Sequence, residues 1–342
     1  MSRIEIKNNR NNRNNKNNKT KRKKKKSIGF KILMGFLILL LAIMVTGGGY
    51  LYGLLSKLDT VDLDNKDLGI SSTDEFAKYN NYKDIKNIAL FGIDAEEGNT
   101  GRSDSIMIAT IDPVHNKLKI TSLMRDSYVN IDGYGMDKLN HAYAFGGAQL
   151  AVKTINENFG LNVEDFATVN FSSLPIIIDI LGGIDLDITN EEIQYINDYI
   201  TQLNSIEGTS SPHITFSGYQ HIDGIQALAY SRIRYTSGGD YARTERHRVV
   251  LTALFEKIAA TPASSYPSIL NSLLPYVQTN LTASNILSLG TKVLGLGAAT
   301  LEQDRFPRDG YSEGTTIDGV YYLDFDKETT INQIRDYIFN DK

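Results

Sequence analysis

The chain has no cysteine and no tryptophan, and only five histidines and seven prolines in 342 residues. Without cysteine there can be no disulfide staple, thiol nucleophile, thiolate-held zinc or iron–sulfur cluster. The few histidines are not arranged as metal ligands, and His213 and His221 lack the spacing for it. Neither a P-loop nor a G-x-G-x-x-G turn occurs. Positive charge is scarce over most of the chain. Residues 1–31 hold thirteen Lys/Arg and one acid, a charge of +12, so the overall −4 leaves −16 on everything that follows. A uniformly mixed soluble enzyme does not look like this.

An uncharged stretch explains the split. Ile32–Leu55 is a run of 24 residues without a charge. As a helix it would be about 36 Å long, enough to cross a hydrocarbon core of about 30 Å with some tilt. The basic cluster Lys21–Lys26 precedes it, which predicts a cytoplasmic N-terminus and an extracellular remainder. The run is too long for a cleaved signal peptide, so a single-pass anchor in the cell membrane is expected. The tail over 1–31, with its Asn/Lys/Arg repeats, is expected to be disordered. It has no interleaved aromatics and reads as a topology signal that touches anionic membrane lipids, with no nucleic-acid partner expected.

Residues 56–84 are polar and read as a stalk or cap; 85–342 read as the catalytic domain. Apolar runs at Asn87–Ile93 and Ser105–Ile111, and alternation at Lys117–Leu123, predict strands. Helical spacing begins near Gly146 and ends at Phe159. A strand is expected from Asp165, then the very apolar Leu174–Leu181, then the alternating Ile184–Ile188. Helices are expected over Asp223–Arg232, Asp240–Ala260, Ala283–Leu294 and Lys327–Phe339, with a last strand at Val320–Phe325. Interleaved strands and helices predict an α/β or α+β fold: a central mixed sheet covered by helices on both faces.

Two groups of charged residues stand out. If Ser105–Ile111 and Lys117–Leu123 form a hairpin in which Ile111 faces Leu118, then Asp104 faces Arg125. Asp94, Arg102, Asp104, Arg125 and Asp126 would then gather at one end of the sheet. The second group is Arg232, Arg234, Asp240, Arg243, Arg246 and His247. Asp240 follows two glycines and suits a helix N-cap. On the helix after it, Arg243, Arg246 and His247 share a stripe with Val250, Leu254 and Ile258, which predicts that these cations point inward. Inward arginines need anionic partners, and their guanidinium forks suit phosphate or pyrophosphate. Carboxylates beside such a nest suit Mg²⁺ or Mn²⁺, which take one or two carboxylates plus phosphate oxygens. Lys138 reads as solvated or reaching phosphate, and His141 as a core or supporting residue.

The ordered motifs FGID (91–94), GRSDSIMIATIDP (101–113), SLMRD (122–126), KLNHAYAFGG (138–147), IDILGGIDLDI (178–188) and ALAYSRIRYTSGGDYARTERH (227–247) closely resemble the LytR-CpsA-Psr family. The resemblance implies a membrane-anchored cell-wall enzyme of Gram-positive type. Such an enzyme transfers an anionic glycopolymer, teichoic acid or capsule, from a polyprenyl-pyrophosphate carrier to peptidoglycan through a phosphodiester. It implies Mg²⁺ at Asp94 and Asp104, and pyrophosphate held by Arg102, Arg125, Arg232, Arg234 and Arg243. Asp240 would support the site or accept a proton, and Arg246 joins the arginine set on the helical stripe. Catalysis would rest on Asp104, Arg125 and Asp240, and an apolar pocket between sheet and helices would take the polyprenyl chain. His247 departs from the glutamine common in the family. The competing readings are a polyprenyl-pyrophosphate pyrophosphatase and a membrane-bound regulator.

Overall fold

The computed structural model describes residues 53, 55, 56, 58–95, 100–233, 239–262, 265–296 and 300–342. The tail over 1–31 and all of the expected span except Gly53 and Leu55 lie outside the described residues. Among the described residues no helix is long and apolar enough to cross a membrane.

A seven-stranded mixed sheet forms the centre. Its strands are β1 (Asp59–Thr60), β2 (Lys86–Asp94), β3 (Arg102–Asp112), β4 (Lys117–Leu123), β7 (Asp165–Asn170), β10 (Val277–Thr279) and β11 (Thr300–Phe306), in the order β1-β10-β7-β2-β3-β4-β11. Three antiparallel strand pairs flank it: the hairpins β5 (Tyr128–Ile131) with β6 (Gly135–Lys138) and β12 (Ser312–Ile317) with β13 (Val320–Phe325), and β8 (Ile184–Ile188) with β9 (Gly218–Ile222), which a helix separates in the chain. The β3–β4 hairpin turns at 113–116 and pairs Ile111 with Leu118, the register on which the Asp104–Arg125 expectation depends. β2, β4, β7 and β11 point the same way, so their carboxyl ends, together with the start of β3, share one end of the sheet. In open α/β sheets ligands bind outside these carboxyl ends.

The central strands read as continuous apolar runs because both faces are covered. One face packs on α2 (His141–Phe159) and α9 (Lys327–Arg335) through Phe91, Ile106, Ile155, Phe166 and Ile334. The other packs on α8 (Ala283–Gly295) through Ile88, Ile111 and Val293. Residues 60–84, expected as a stalk or cap, include α1 (Thr73–Phe76) and bury Leu68, Phe76 and Tyr79 in the α2-side core. Leu55 is buried against Leu274 and Ala283 beside β1.

A second apolar core joins α3 (Leu174–Ile180), α4 (Asn190–Glu207), α5 (Gly224–Arg232), α6 (Gly239–Ala260), α7 (Tyr266–Leu273) and the β8–β9 pair. β8 alternates buried Ile184, Leu186 and Ile188 with exposed Asp185 and Asp187, the period of a strand with one wet face. Reciprocal capping boxes open α4 (Thr189 with Glu192) and α5 (Asp223 with Gln226). α5 meets α3 so closely that a Cβ on Gly224 would lie 2.1 Å from the Pro175 carbonyl oxygen. Gly224→Ala is therefore expected to destabilise the protein by about 1–3 kcal/mol through forced backbone movement. Chemical denaturation measures this, and an unchanged midpoint would refute the tight α3–α5 contact.

One lysine is fully buried. Lys119 bonds Asp112 at 3.0 Å and donates to the carbonyls of Tyr337 and Ile338, pinning the C-terminal segment to the turn end of the β3–β4 hairpin.

Candidate active site at the carboxyl end of the sheet

β2 and β3 pair regularly as far as Gly92–Ser105. The register then slips by one, so that Ile93 faces Ser103 and Asp94 faces Arg102. Asp104 is the extra residue of this bulge, and bulges commonly re-aim a side chain next to a functional site. Its carboxylate accepts from Arg125 Nη1 at 2.7 Å and from Asn140 Nδ2 at 3.3 Å. Arg125 also approaches Asp126 through Nε at 3.4 Å. All five residues expected at one end of the sheet are there, with Asp104 and Arg125 in direct contact.

Asn140 was not singled out by its residue type, yet it ties this corner together. Its backbone N–H donates to Arg125 O at 3.0 Å, and its carbonyl accepts from Ser103 N at 3.4 Å. Its Oδ1 is buried with no hydrogen-bond partner among the described residues; the same holds for the hydroxyls of Ser103, whose N–H bonds the Asn140 carbonyl, and Ser127, whose carbonyl accepts from the preceding Leu139 N. Unsatisfied buried polar atoms concentrated in one place are uncommon away from functional sites.

On the β7 side, exposed Asp94 borders a crevice with Phe171, Leu228, Ser231, Arg232 and His247. Phe171 follows β7, Arg232 ends α5 and His247 lies in α6. His247 is buried and packs its ring 5.2 Å from Phe171. The described part of the α6 stripe points inward as expected: Arg246, His247, Val250 and Leu254 are all buried, and the side chains of Arg243 and Ile258 lie outside the described residues.

Arg246, expected to grip pyrophosphate, is paired with an acid in this structure. Its Nε donates to Glu192 Oε1 at 3.0 Å, and its guanidinium lies 5.8 Å from the Tyr230 ring centroid. Glu192 uses its other oxygen to cap α4, accepting from Thr189 N. Arg246 is thus neutralised inside the second core and links α4 to α6. Burial, reinforced by the Glu192 charge, pushes the Tyr230 hydroxyl up to about 12 even though Arg246 works against it. Lys138, expected to be solvated or on phosphate, instead bonds Asp126 at 2.7 Å. α6 begins at Gly239, so Asp240 lies in its first turn and not at the cap. Arg234 lies outside the described residues, as do the side chains of Asp240 and Arg243. His213 bonds Thr201 and His221 bonds Asp185, neither in a metal-like group.

Among the described residues no group of three or more His, Asp or Glu could hold a metal ion unaided. Asp94 and Asp104 supply hard carboxylate oxygens at one strand end, a donor set that fits Mg²⁺ or Mn²⁺ completed by phosphate oxygens and water.

A model of the LytR-CpsA-Psr family matches residues 54–337. The chain belongs to the LytR-CpsA-Psr family. It is 32% identical over 307 residues to the polyisoprenyl-teichoic acid–peptidoglycan teichoic acid transferase TagU of Bacillus mycoides (strain KBAB4), covering 87% of this chain and 95% of that protein. It is 29% identical to the TagU of Enterococcus faecalis (strain ATCC 700802 / V583), over 87% of this chain and 92% of that one. Among solved structures, TagT bound to LI-WTA superposes with a TM-score of 0.61 at 25% identity, covering 82% of this chain and 98% of that chain. The gbs0355 protein of Streptococcus agalactiae superposes with a TM-score of 0.63 at 29% identity, covering 75% and 89% respectively. These LytR-CpsA-Psr structures share the mixed sheet and its helices.

Proposed function

We propose that this LytR-CpsA-Psr protein is a phosphotransferase that moves a teichoic-acid-like glycopolymer from a polyprenyl-pyrophosphate carrier to peptidoglycan. One observation carries the reading: the Asp104–Arg125 pair stands at the same sheet end as the crevice bordered by Asp94 and Arg232. The TagU relatives carry the corresponding activity in their names, and the TagT neighbour binds LI-WTA. The expected membrane span fits a lipid-borne donor, with the domain extracellular on its N-terminal anchor.

In this reading Arg102, Arg125 and Arg232 hold the diphosphate as bidentate or paired donors, with Arg234 and Arg243 completing the set. The acceptor hydroxyl oxygen attacks the phosphorus next to the sugar. That phosphorus–oxygen bridge breaks, polyprenyl phosphate leaves, and the hydroxyl proton passes to a carboxylate, Asp104 or Asp240. Arg125 offsets charge that grows on the phosphoryl oxygens, and Asn140 fixes Asp104 in place. Mg²⁺ or Mn²⁺ at Asp94 and Asp104 would supply further charge neutralisation when bound.

The test is incubation of the protein with a lipid-pyrophosphate-linked polymer and peptidoglycan oligomers, with mass spectrometry of the products. A phosphodiester-linked conjugate plus polyprenyl phosphate is expected. Free phosphorylated polymer in place of the conjugate would make the enzyme a pyrophosphatase. Chelation with EDTA is expected to lower transfer at least tenfold, with recovery on adding Mg²⁺ or Mn²⁺; full activity in EDTA would remove the metal from the scheme.

A further inference from the structure

The KLNHAYAFGG motif does more than place Asn140. His141 to Phe145 form a short helical turn cut off from the rest of α2 by a double-glycine break, where Gly146 has φ −145° and Gly147 has φ 60° and ψ −155°. The second of these conformations strongly favours glycine. The break leaves Phe145 at the end of the turn, 39% exposed. Its ring stacks on Tyr134, which is 57% exposed at the tip of the β5–β6 hairpin, with centroids 4.3 Å apart and planes 12° apart. The His141 ring lies 5.8 Å from Phe145, and its Nδ1 is 2.8 Å from Asp137 Oδ2. Burial works to raise the Asp137 pKa, but bonds from His141, the Lys138 amide and Tyr322 outweigh it and hold the carboxyl below its usual range.

Exposed single aromatics are ordinary, whereas two rings stacked on each other at the surface form a rigid flat shelf. This shelf is joined to the site by covalent and hydrogen-bonded links. His141 follows Asn140, which holds Asp104, and Thr100 in the β2–β3 connection donates to Ala144 O at 3.1 Å. The shelf hangs from α2 and β5–β6, and the Arg232 crevice from α5 and α6, so the two reach the Asp94–Asp104 strand end from different elements.

We propose that Tyr134, Phe145, His141 and Asp137 form the acceptor subsite, a platform for a pyranose ring of the peptidoglycan glycan strand. This rests on the phosphotransferase reading above. The C–H face of a pyranose stacks on an aromatic plane, while its hydroxyl and acetamido groups need paired donors and acceptors at the rim. Asp137 and His141 supply both. The charge distribution assigns the shelf to the acceptor and not to the polyphosphate donor. Asp132 and Asp137 border the shelf, Arg232 lies in the crevice beyond Asp94, and Arg125, the arginine nearest the shelf, is held by Asp104 and Asp126.

The test uses the full chain and the transfer assay described above. In Tyr134→Ala/Phe145→Ala the KM for peptidoglycan oligomers is expected to rise at least tenfold, with the KM for the lipid-linked donor unchanged. Tyr134→Phe, which keeps the stack, is expected to restore acceptor KM. Because the protein has no native tryptophan, Tyr134→Trp places its one indole on the shelf. Its emission is expected to shift on adding glycan oligomers and not on adding the donor lipid. Wild-type acceptor KM in the double variant, or a rise in donor KM instead, overturns the subsite. Failure of the wild-type protein to form any conjugate would instead overturn the phosphotransferase reading.

Discussion

Arg125→Ala is expected to lower polymer transfer by about 10²- to 10³-fold, the usual effect of removing one aligned donor from a site of developing charge. The side chain holds Asp104 at 2.7 Å and approaches Asp126 at 3.4 Å, so in the proposed mechanism its removal takes away both a phosphate donor and the orientation of the proton-accepting carboxylate. The fold should survive: Asp126 retains Lys138, and Asp104 retains Asn140. Steady-state turnover and circular dichroism together check this. Arg125→Lys keeps a charge but loses the planar fork, and should recover only part of the rate. Turnover close to wild type in Arg125→Ala, with the fold intact, would remove this residue from the mechanism.

Arg246→Ala should show the opposite pattern. Breaking one side of a buried ion pair costs about 3–5 kcal/mol, because the remaining charge is left without its partner. Arg246 and Glu192 are both buried, 54 residues apart, and Glu192 also caps α4. The variant is therefore expected to unfold at markedly lower denaturant or temperature. Below its transition it should bind and turn over donor nearly as the parent does. A parallel loss of stability in Glu192→Ala, with strong non-additivity in the double variant, would establish the pair. A wild-type unfolding midpoint together with weakened donor binding would return Arg246 to the pyrophosphate site.

These two arginines mark where sequence reasoning succeeds and where it stops. The Asp104–Arg125 contact was legible because hairpin register is a local rule. With four residues turning between β3 and β4, pairing Ile111 with Leu118 fixes what stands near the open ends. The inward stripe of α6 was legible from its 3.6-residue period. The partner of Arg246 was not, because nothing in a helical period says which acid on another helix will meet it. α4 went unassigned, although Thr189 and Glu192 spell a capping box and Ile196, Ile200 and Leu203 fall on one buried stripe. Its many polar residues masked that stripe. The last strand, Val320–Phe325, was legible from its apolar run, but the β5–β6 hairpin is short and weakly alternating, so Tyr134 at its turn could not be located beforehand. Lys138 was misjudged for the same reason: Asp126 reaches it only once the chain has turned back through β5 and β6.

β1 has a bearing on how the enzyme would stand relative to a lipid surface. It runs opposite to β2, and Asp59 lies opposite Gln278, which faces Thr168, which faces Phe91. The chain therefore comes into the sheet from the end that bears Asp94 and the crevice. Phe91 precedes Asp94 by about 10 Å of strand, and three inter-strand spacings add about 14 Å sideways. With Leu55, the last residue of the expected span, buried in the domain beside β1, an anchor would have to end before it and would have almost no slack. The enzyme would sit face down on its leash, with the catalytic mouth at headgroup height. A carrier lipid would then need only to drift laterally within its leaflet to present its diphosphate, without being lifted out of the bilayer.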